Sequence, residues 1–502
     1  MTRAGVFLAA SCALSVLIAA CSQEQAAEPA KIEAATGADA MAEAVDEAHS
    51  GMASGDMASG AALYADNCAS CHGKSLEGAL ATALIKSDWM YGRDSFSITN
   101  NILNGIPSAG MPGFNDVLSE ESVDAVFAFI MDAQTTPPGV GNPLPEELST
   151  RSYRLKVEKL VESGLEKPWG IAFVDDRRAL ITENSGGLYW MVDGALDPQP
   201  ISGVPDVDLA TSTGGLLDVA VDPDYAENGW IYLAYSHSED PNEVEAPGMT
   251  RVLRARVEER QLVDVEQVFQ PPERFQVGNS KHWGGRLLFD KNADLYFSIG
   301  DMSQPEASQD PAAPTGKVFR VRRDGARPSD NPFQEQGDVA SAVFSLGNRN
   351  VQGLAQHPET GAIWASEHGP HGGDELNVLE KGANYGWPVA TYGVNYDGTE
   401  ISPVSEMEGV TPPVREWTPA LAVSAIDFVT GDGFPAWRND LLMGSLSREE
   451  LLRFSLDGET IVEEESLFKG YGRIRDVKIG PDGALYVLFN NPGMVVRFTA
   501  LE

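Results

Sequence analysis

From Arg151 onward the chain repeats one pattern of apolar and polar positions. A short apolar run leads into a turn built on Asp, Pro or Gly, and a second run rich in apolar and aromatic residues follows. The copies are GIAFVDDRRALITEN from residue 170, LDVAVDPDYAENGWIYLAYS from 217, GRLLFDKNADLYFSIGD from 285, GLAQHPETGAIWASEHGP from 353, AIDFVTGDGFPAWRNDLLMGSL from 425 and IRDVKIGPDGALYVLFNN from 474. Runs this short between turn residues predict strands. Six copies, with the tighter spacings near 50, predict a six-bladed β-propeller, each blade a small sheet. A stacked sandwich is the competitor, and the recurrence favours the ring. The segment YRLKVEKLVESG, 153–164, is placed to supply the outer strand of the last blade and close the ring.

The texture before residue 135 is different. GAALYADNCASCH reads as a helix, and SEESVDAVFAFIMDAQ as a second one. In the latter, Val123, Val126, Phe127 and Ile130 fall three and four apart on one face. Ser119 is placed to cap its N-terminus. Residues 59–134 thus form a small helical unit, and 135–152, TTPPGVGNPLPEELSTRS, read as a Pro-rich linker. Residues 21–58 hold Ala, Glu, Gly and Ser without aromatics and read as a flexible tether. Residues 1–20 carry one charge, Arg3, then an apolar run ending LIAAC, which has the layout of a secretory signal. The cysteine behind those small residues resembles a bacterial lipobox. That resemblance implies cleavage before Cys21, a lipid on its thiol, and a periplasmic, lipid-anchored protein. An ordinary secretory signal with an incidental cysteine is the alternative.

Length and charge narrow the function. The 502 residues exceed what one core holds, so several domains are expected. A formal net charge of −38 argues against a nucleic-acid partner, because phosphates need Lys and Arg to neutralise them. It suits an extracytoplasmic protein that meets basic partners. Cys12 leaves with the signal and Cys21 would carry lipid, so Cys68 and Cys71 remain.

Those two thiols stand in CASCH, directly ahead of His72. On a helical turn, i and i+3 face the same way, so both reach one haem by thioether bonds while the histidine sits beneath the iron. A thioredoxin-type pair, half a zinc site or a plain disulfide compete. No second cysteine pair serves zinc, and the flanks are helical rather than strand. Met111, in the loop NGIPSAGMPGF, is the candidate sixth ligand, with Met90 in SDWMYG as its rival. Residues 59–134 resemble the class I cytochrome c family, with MPGF similar to its methionine loop.

Within the propeller, four stretches at strand edges carry chemistry. They are KHWGGRL with His282, SLGNRNVQGLA with Arg349 and Asn350, SEHGPHGGDELN with GANYGWP, and GRIRDV with Arg473 and Arg475. Three arginines and a histidine point to a polyanionic ligand and a proton acceptor. The Gly-rich loop with Asp374 and Glu375 suggests a hard cation. His368 and His371 with those acids make a transition-metal site the rival reading. The bland reading is a structural histidine and arginines in surface pairs.

Together with GGLLDVAVDPDY, these motifs resemble the soluble pyrroloquinoline-quinone (PQQ) sugar dehydrogenases over about 153–500. The two resemblances together imply a multidomain protein, an all-α cytochrome c domain followed by an all-β six-bladed propeller. It implies His282 as general base toward the sugar's anomeric hydroxyl, and Arg349 and Asn350 beside the reactive quinone carbonyls. Arg473 and Arg475 would clamp PQQ. Calcium would be bound by the carbonyls of Gly369 and Pro370, and a second calcium by Glu375 and Tyr385, with Asp374 as a further candidate. Electrons would pass from an aldose or related alcohol, through haem c, to an external periplasmic acceptor. The chain departs from the family at Ser447, where a lysine is usual, at Thr213, where a glutamine is common, and at Lys281, where the glucose enzymes have an acid. A cation at 281 is expected to depress the pKa of His282. A PQQ-free binding module and a calcium-dependent lactonase are the alternatives.

Overall fold

The computed structural model describes residues 54–73, 76, 78, 81–85, 95–106, 111–114, 117–135 and 143–501, except 212, 279, 396–398, 491 and 492. The signal, Cys21, the tether up to residue 53 and Met90 lie outside the described residues.

The helical unit is built as the periodicity requires. Helix α1 spans Ser54–Asn67, α2 Ala69–His72, α3 Ser95–Asn104 and α4 Glu120–Thr135. Ser119 caps α4, its Oγ accepting the Ser122 amide at 3.2 Å. Val123, Val126 and Ile130 of α4 join Tyr64, Cys68, Ile98 and Ile102 in one buried cluster. Helices α1 and α4 approach closely at Gly60, where an added Cβ would lie 2.1 Å from the Ala125 carbonyl oxygen. The glycine is required by that approach rather than by its dihedral freedom.

The second region is a six-bladed propeller. Five blades are four-stranded antiparallel sheets, spanning 168–196, 216–269, 287–346, 351–417 and 423–469. The sixth has five strands. Ile474–Ile479, Leu485–Asn490 and Gly493–Leu501 come from the C-terminus, and Arg154–Val161 and Glu147–Ser149 from upstream of the first blade. The expected closure by 153–164 is therefore present, with Lys156 opposite Thr499. The sheet also begins earlier than the Pro-rich reading of 135–152 anticipated. Glu147–Ser149 pairs with Arg154–Lys156 through a tight turn in which the Tyr153 amide donates to Thr150 Oγ1 at 2.9 Å. Prolines stop at residue 145, so nothing prevents pairing beyond it.

The first strand of every blade lines the ring's interior and packs on the first strands of both neighbours. Such strands lie too far apart for backbone ladders, so side chains stitch them. Thr182 Oγ1 donates to the Leu217 carbonyl at 2.6 Å, and Asp218 accepts the Leu287 amide at 2.9 Å. Ser298 Oγ donates to Val351 at 3.1 Å, Ser366 Oγ to Ser424 at 2.6 Å, and Ser424 Oγ to Ile474 at 2.7 Å. Asp476 closes the circle by accepting the Ile171 amide at 2.9 Å. Short polar residues in otherwise apolar first and second strands are thus structural and satisfied.

In five blades the inner strand breaks register near its start, between Pro168 and Gly170, Leu216 and Val219, Val351 and Gly353, Val423 and Ile426, and Ile474 and Asp476. A bulge re-aims the extra side chain. The residues so displaced include Trp169, Gln352 and Arg475, and all three belong to the site described next.

Candidate functional site

The propeller site is assembled from loops entering inner strands and leaving second strands. His282 precedes the inner strand Leu287–Phe289, and Arg349 and Asn350 precede Val351–Gln356. His282 Nδ1 lies 2.6 Å from Asp301 Oδ1, and Trp387 Nε1 donates to Asp301 Oδ2 at 2.8 Å. Asp301 is ionised and buried, with the ring N–H of His282 its natural partner, so the imidazole presents its Nε2 lone pair to the site. Arg349 Nη2 sits 3.2 Å from that Nε2. Burial lowers the His282 pKa first, the Arg349 charge adds to it, and Asp301 opposes both. Lys281 lowers it too, as expected, but ranks behind these. The result is a neutral imidazole at pH 7, a proton acceptor held by an orienting carboxylate.

The arginines gather on the same ground. Arg349 Nη1 donates to the carbonyls of Gly369 at 2.6 Å and His368 at 3.2 Å, and its guanidinium lies 5.3 Å from the Trp387 ring centroid. Arg475 Nη1 donates to Gln352 Oε1 at 2.9 Å, while Gln352 Nε2 donates to Asn350 Oδ1 at 3.2 Å. Neither Arg349 nor Arg475 forms an ion pair among the described residues, and the Nε of each is buried without a hydrogen-bond partner. Burial, with the neighbouring charges of Arg473 and Arg286, pushes the Arg475 pKa down to about 9. Guanidiniums withdrawn from solvent without carboxylates suit a ligand that brings its own negative charge. The donor set therefore fits a polycarboxylate such as PQQ.

Beside Arg349 lies a small cavity of about 10 Å³, lined by Glu367, Gly369, Pro370, Glu375 and Tyr385 among others. That is room for about one water-sized occupant. Burial raises Glu367 to about 7 and carries Glu375 well above the carboxylate range, the charge of Glu367 adding to the rise of Glu375. The two stand opposite each other on paired strands. Uncompensated carboxylates around an ion-sized space suit a hard cation. Three expected ligands are used differently here. The Gly369 carbonyl accepts Arg349. The Tyr385 hydroxyl donates to the Val378 carbonyl at 2.6 Å, so a metal would have to take its main-chain oxygen. Asp374 gives Oδ1 to the Gly369 amide at 2.8 Å and Oδ2 to the Leu421 and Val423 amides at 2.9 and 3.2 Å. It braces loops rather than facing the cavity. Among the described residues no three His, Cys, Asp or Glu side chains form a metal-ligand group. The transition-metal reading of His368 and His371 therefore lacks its cluster.

In the helical unit, Cys68 is buried and Cys71 half-buried, both as free thiols. His72 Nδ1 lies 2.7 Å from the Thr82 carbonyl oxygen. A carbonyl requires the proton on Nδ1, which leaves Nε2 as the metal-ligating nitrogen. Met111 packs against the cluster that contains Cys68, and its backbone forms a two-way bridge with Ile106 at 2.9 and 3.1 Å.

Sequence reading missed Asp301, Gln352, Trp169, Trp387 and Glu367. Asp301 had a faint signal, a Gly-Asp pair ending the second strand of its repeat. Gln352 and Trp169 had none, because a bulge decides which way they point.

A propeller whose central mouth holds a histidine–carboxylate pair and unpaired arginines, preceded by a CxxCH helical unit, defines a haem-linked oxidoreductase architecture. Residues 165–497 match the family described as Glucose / Sorbosone dehydrogenase, and the chain belongs to that family. Residues 55–130 match cytochrome C oxidase, cbb3-type, subunit III, so a cytochrome c domain precedes the propeller. The aldose sugar dehydrogenase YliI of Escherichia coli is 38% identical over 338 residues, 66% of this chain and 89% of that protein. The quinoprotein glucose dehydrogenase B of Acinetobacter calcoaceticus is 27% identical over 442 residues, 68% of this chain and 90% of that protein. The solved PQQ-bound aldose sugar dehydrogenase of Streptomyces coelicolor aligns with a TM-score of 0.57 at 27% identity, over 69% of this chain and 98% of that one. Among the described residues no helix is long and apolar enough to cross a membrane.

Proposed function

We propose that the protein is a quinohaemoprotein dehydrogenase that oxidises an aldose or related alcohol with PQQ and delivers the electrons, through haem c, to an external periplasmic acceptor. The observation that carries this reading is the pair of carboxylate-free guanidiniums, buried Arg349 and half-buried Arg475, beside a neutral histidine. Arg349, Asn350, Arg473 and Arg475 would hold PQQ. The carbonyls of Gly369 and Pro370 would hold one calcium, and Glu375 with the main-chain oxygen of Tyr385 a second, with Asp374 supporting that loop. Cys68 and Cys71 would carry the haem, and His72 and Met111 would supply nitrogen and sulfur to its iron. The membrane attachment would be the lipid on Cys21.

PQQ supplies an o-quinone that accepts two electrons from a CH–OH group, and haem c takes electrons one at a time. The protein's own part is the proton. His282 accepts the hydroxyl proton at Nε2, and Asp301 holds the ring and stabilises the imidazolium that results. Arg349 is the cation that faces the developing oxyanion, fixed by two carbonyls and Trp387 before any substrate enters.

The test is to load haem-containing protein with PQQ and calcium, add a panel of aldoses and follow the haem α-band. Reduction is expected, and His282→Ala is expected to slow it by about 10²- to 10⁴-fold with the haem spectrum unchanged. Full turnover by that variant would exclude the base assignment. No reduction by any sugar or alcohol, with PQQ demonstrably bound, would overturn the whole reading. A PQQ-free binding module is the second reading. It is favoured by Thr213 and Ser447, whose hydroxyls face the carbonyls of Lys281 at 2.9 Å and Ala420 at 3.5 Å. Saturable PQQ uptake by the apo-protein excludes it.

A further inference from the structure

Lys281 is adjacent to the base, exposed, and without an ion pair among the described residues. In a chain with 74 acidic and 36 basic side chains, a surface cation ordinarily finds a carboxylate. Lys156, Lys159, Lys381 and Lys469 do, and of the exposed lysines among the described residues that do not, Lys167, Lys281 and Lys291, only Lys281 stands beside the base. The backbone at 281 is nevertheless fixed. Thr213 Oγ1, from the loop before the second blade, donates to the Lys281 carbonyl at 2.9 Å. The His282 carbonyl accepts the Met302 amide at 3.4 Å, and the Gly284 amide donates to Asn350 Oδ1 at 3.1 Å. The lysine therefore springs from a pinned point on the rim, and its charge is felt at His282.

We propose that Lys281 makes the site selective for aldoses bearing a carboxylate, the uronic-acid class, by pairing with that carboxylate while His282 takes the anomeric proton. In a pyranose uronic acid the anomeric carbon and the carbon bearing the carboxylate flank the same ring oxygen. Two adjacent residues, one a base and one a cation, match two groups disposed that way. A neutral sugar offers the ammonium only hydroxyls, whereas a carboxylate offers a charge-assisted hydrogen bond. With a net charge of −38, the protein repels anions at long range, so a local cation is what an acidic substrate needs at the mouth. Thr213 is the positioning residue that holds the lysine's backbone in place.

This inference rests on the dehydrogenase reading, and the experiment separates the two. Holoenzyme with Lys281, Lys281→Met or Lys281→Arg is given glucose, galactose, glucuronate and galacturonate, and kcat/KM is read from haem reduction. Calorimetric binding of galacturonate is measured alongside. The unaltered protein is expected to favour the uronates. Lys281→Met is expected to lose about 10- to 100-fold for uronates while neutral sugars stay level, with Lys281→Arg retaining most of the preference. Raising the salt concentration should narrow the uronate advantage. Neutral sugars turned over as well as uronates, or an equal loss for both in Lys281→Met, would overturn the inference and leave the dehydrogenase standing. Galacturonate binding that disappears in Lys281→Met without turnover of any sugar would keep the lysine–carboxylate pairing and sink the dehydrogenase, and with it the role given to His282. Absence of saturable galacturonate binding together with absence of uronate turnover would overturn it.

Discussion

Arg286 and Arg475 share two partners and differ in everything electrostatic. Both lie near the Trp169 ring, at 4.2 and 5.6 Å from its centroid, and both use Gln352. Arg286 Nε donates to the Gln352 carbonyl at 2.8 Å, and Arg475 Nη1 to its side-chain oxygen. Arg286, however, has Asp476 at 3.1 Å and Asp218 at 3.3 Å. Those two aspartates also staple the inner strands. Arg475 has no such partner. One arginine is part of the ring's own closure. The other is half-buried, with its Nε shut away from solvent and no carboxylate beside it, which is what a binding group looks like before its ligand arrives. The comparison teaches that burial of a guanidinium says little until its counter-ions are counted.

The largest effect that would test this contrast is on stability. Arg286→Met leaves two buried aspartates facing each other and is expected to cost about 3–5 kcal/mol, read as a drop in the urea midpoint of the propeller. Arg475→Met is expected to leave that midpoint within about 1 kcal/mol, or to raise it, because no carboxylate is abandoned. Equal destabilisation by the two would erase the distinction. A second effect runs the other way. Arg475→Met should weaken PQQ uptake by about 10- to 100-fold in a titration of apo-protein. Unchanged uptake would return Arg475 to the structural class.

The smallest effect concerns pH and sharpens the picture of the site. The folded pKa of His282 lies below its ordinary 6.5, chiefly through burial. As pH falls through 6.5 the unfolded chain takes up this proton before the folded one, so His282 makes stability decline with falling pH in that window. Above it the contribution is constant. The same depression keeps the base neutral, so the acidic limb of kcat/KM should fall below pH 6.5. His282→Asn should make the stability slope shallower while sparing the haem, since His237 and His371 keep their own shares of it. A limb above that pH would mean that another group titrates.

Much of this was legible without coordinates. Alternation of apolar runs and turns revealed six blades because each blade must bury both faces of a small sheet, and that requirement is written locally. CxxCH was legible because two thiols and a histidine must sit on one helical turn. His282, Arg349 and Arg475 were found as residue types at strand edges. Asp301 was not, since an acid after a strand is common and only the fold sets it against an imidazole. Asp374 read as a metal ligand because Gly-rich acidic loops often are. The structure spends both of its oxygens on three backbone amides from two blades. The Pro-rich stretch concealed a strand, since its pairing partner Arg154–Lys156 makes it one.

The sequence by itself determined the element types, the blade number, the CxxCH chemistry and the kinds of side chain available to the site. Those depend on local periodicity and spacing, which survive in one dimension. Tertiary structure alone decided which arginine is neutralised, which carboxylate orients the base and which way each bulged side chain points. Counter-ions are chosen by proximity in space, and residues 218, 286, 349, 352 and 475 meet only once six sheets have closed into a ring.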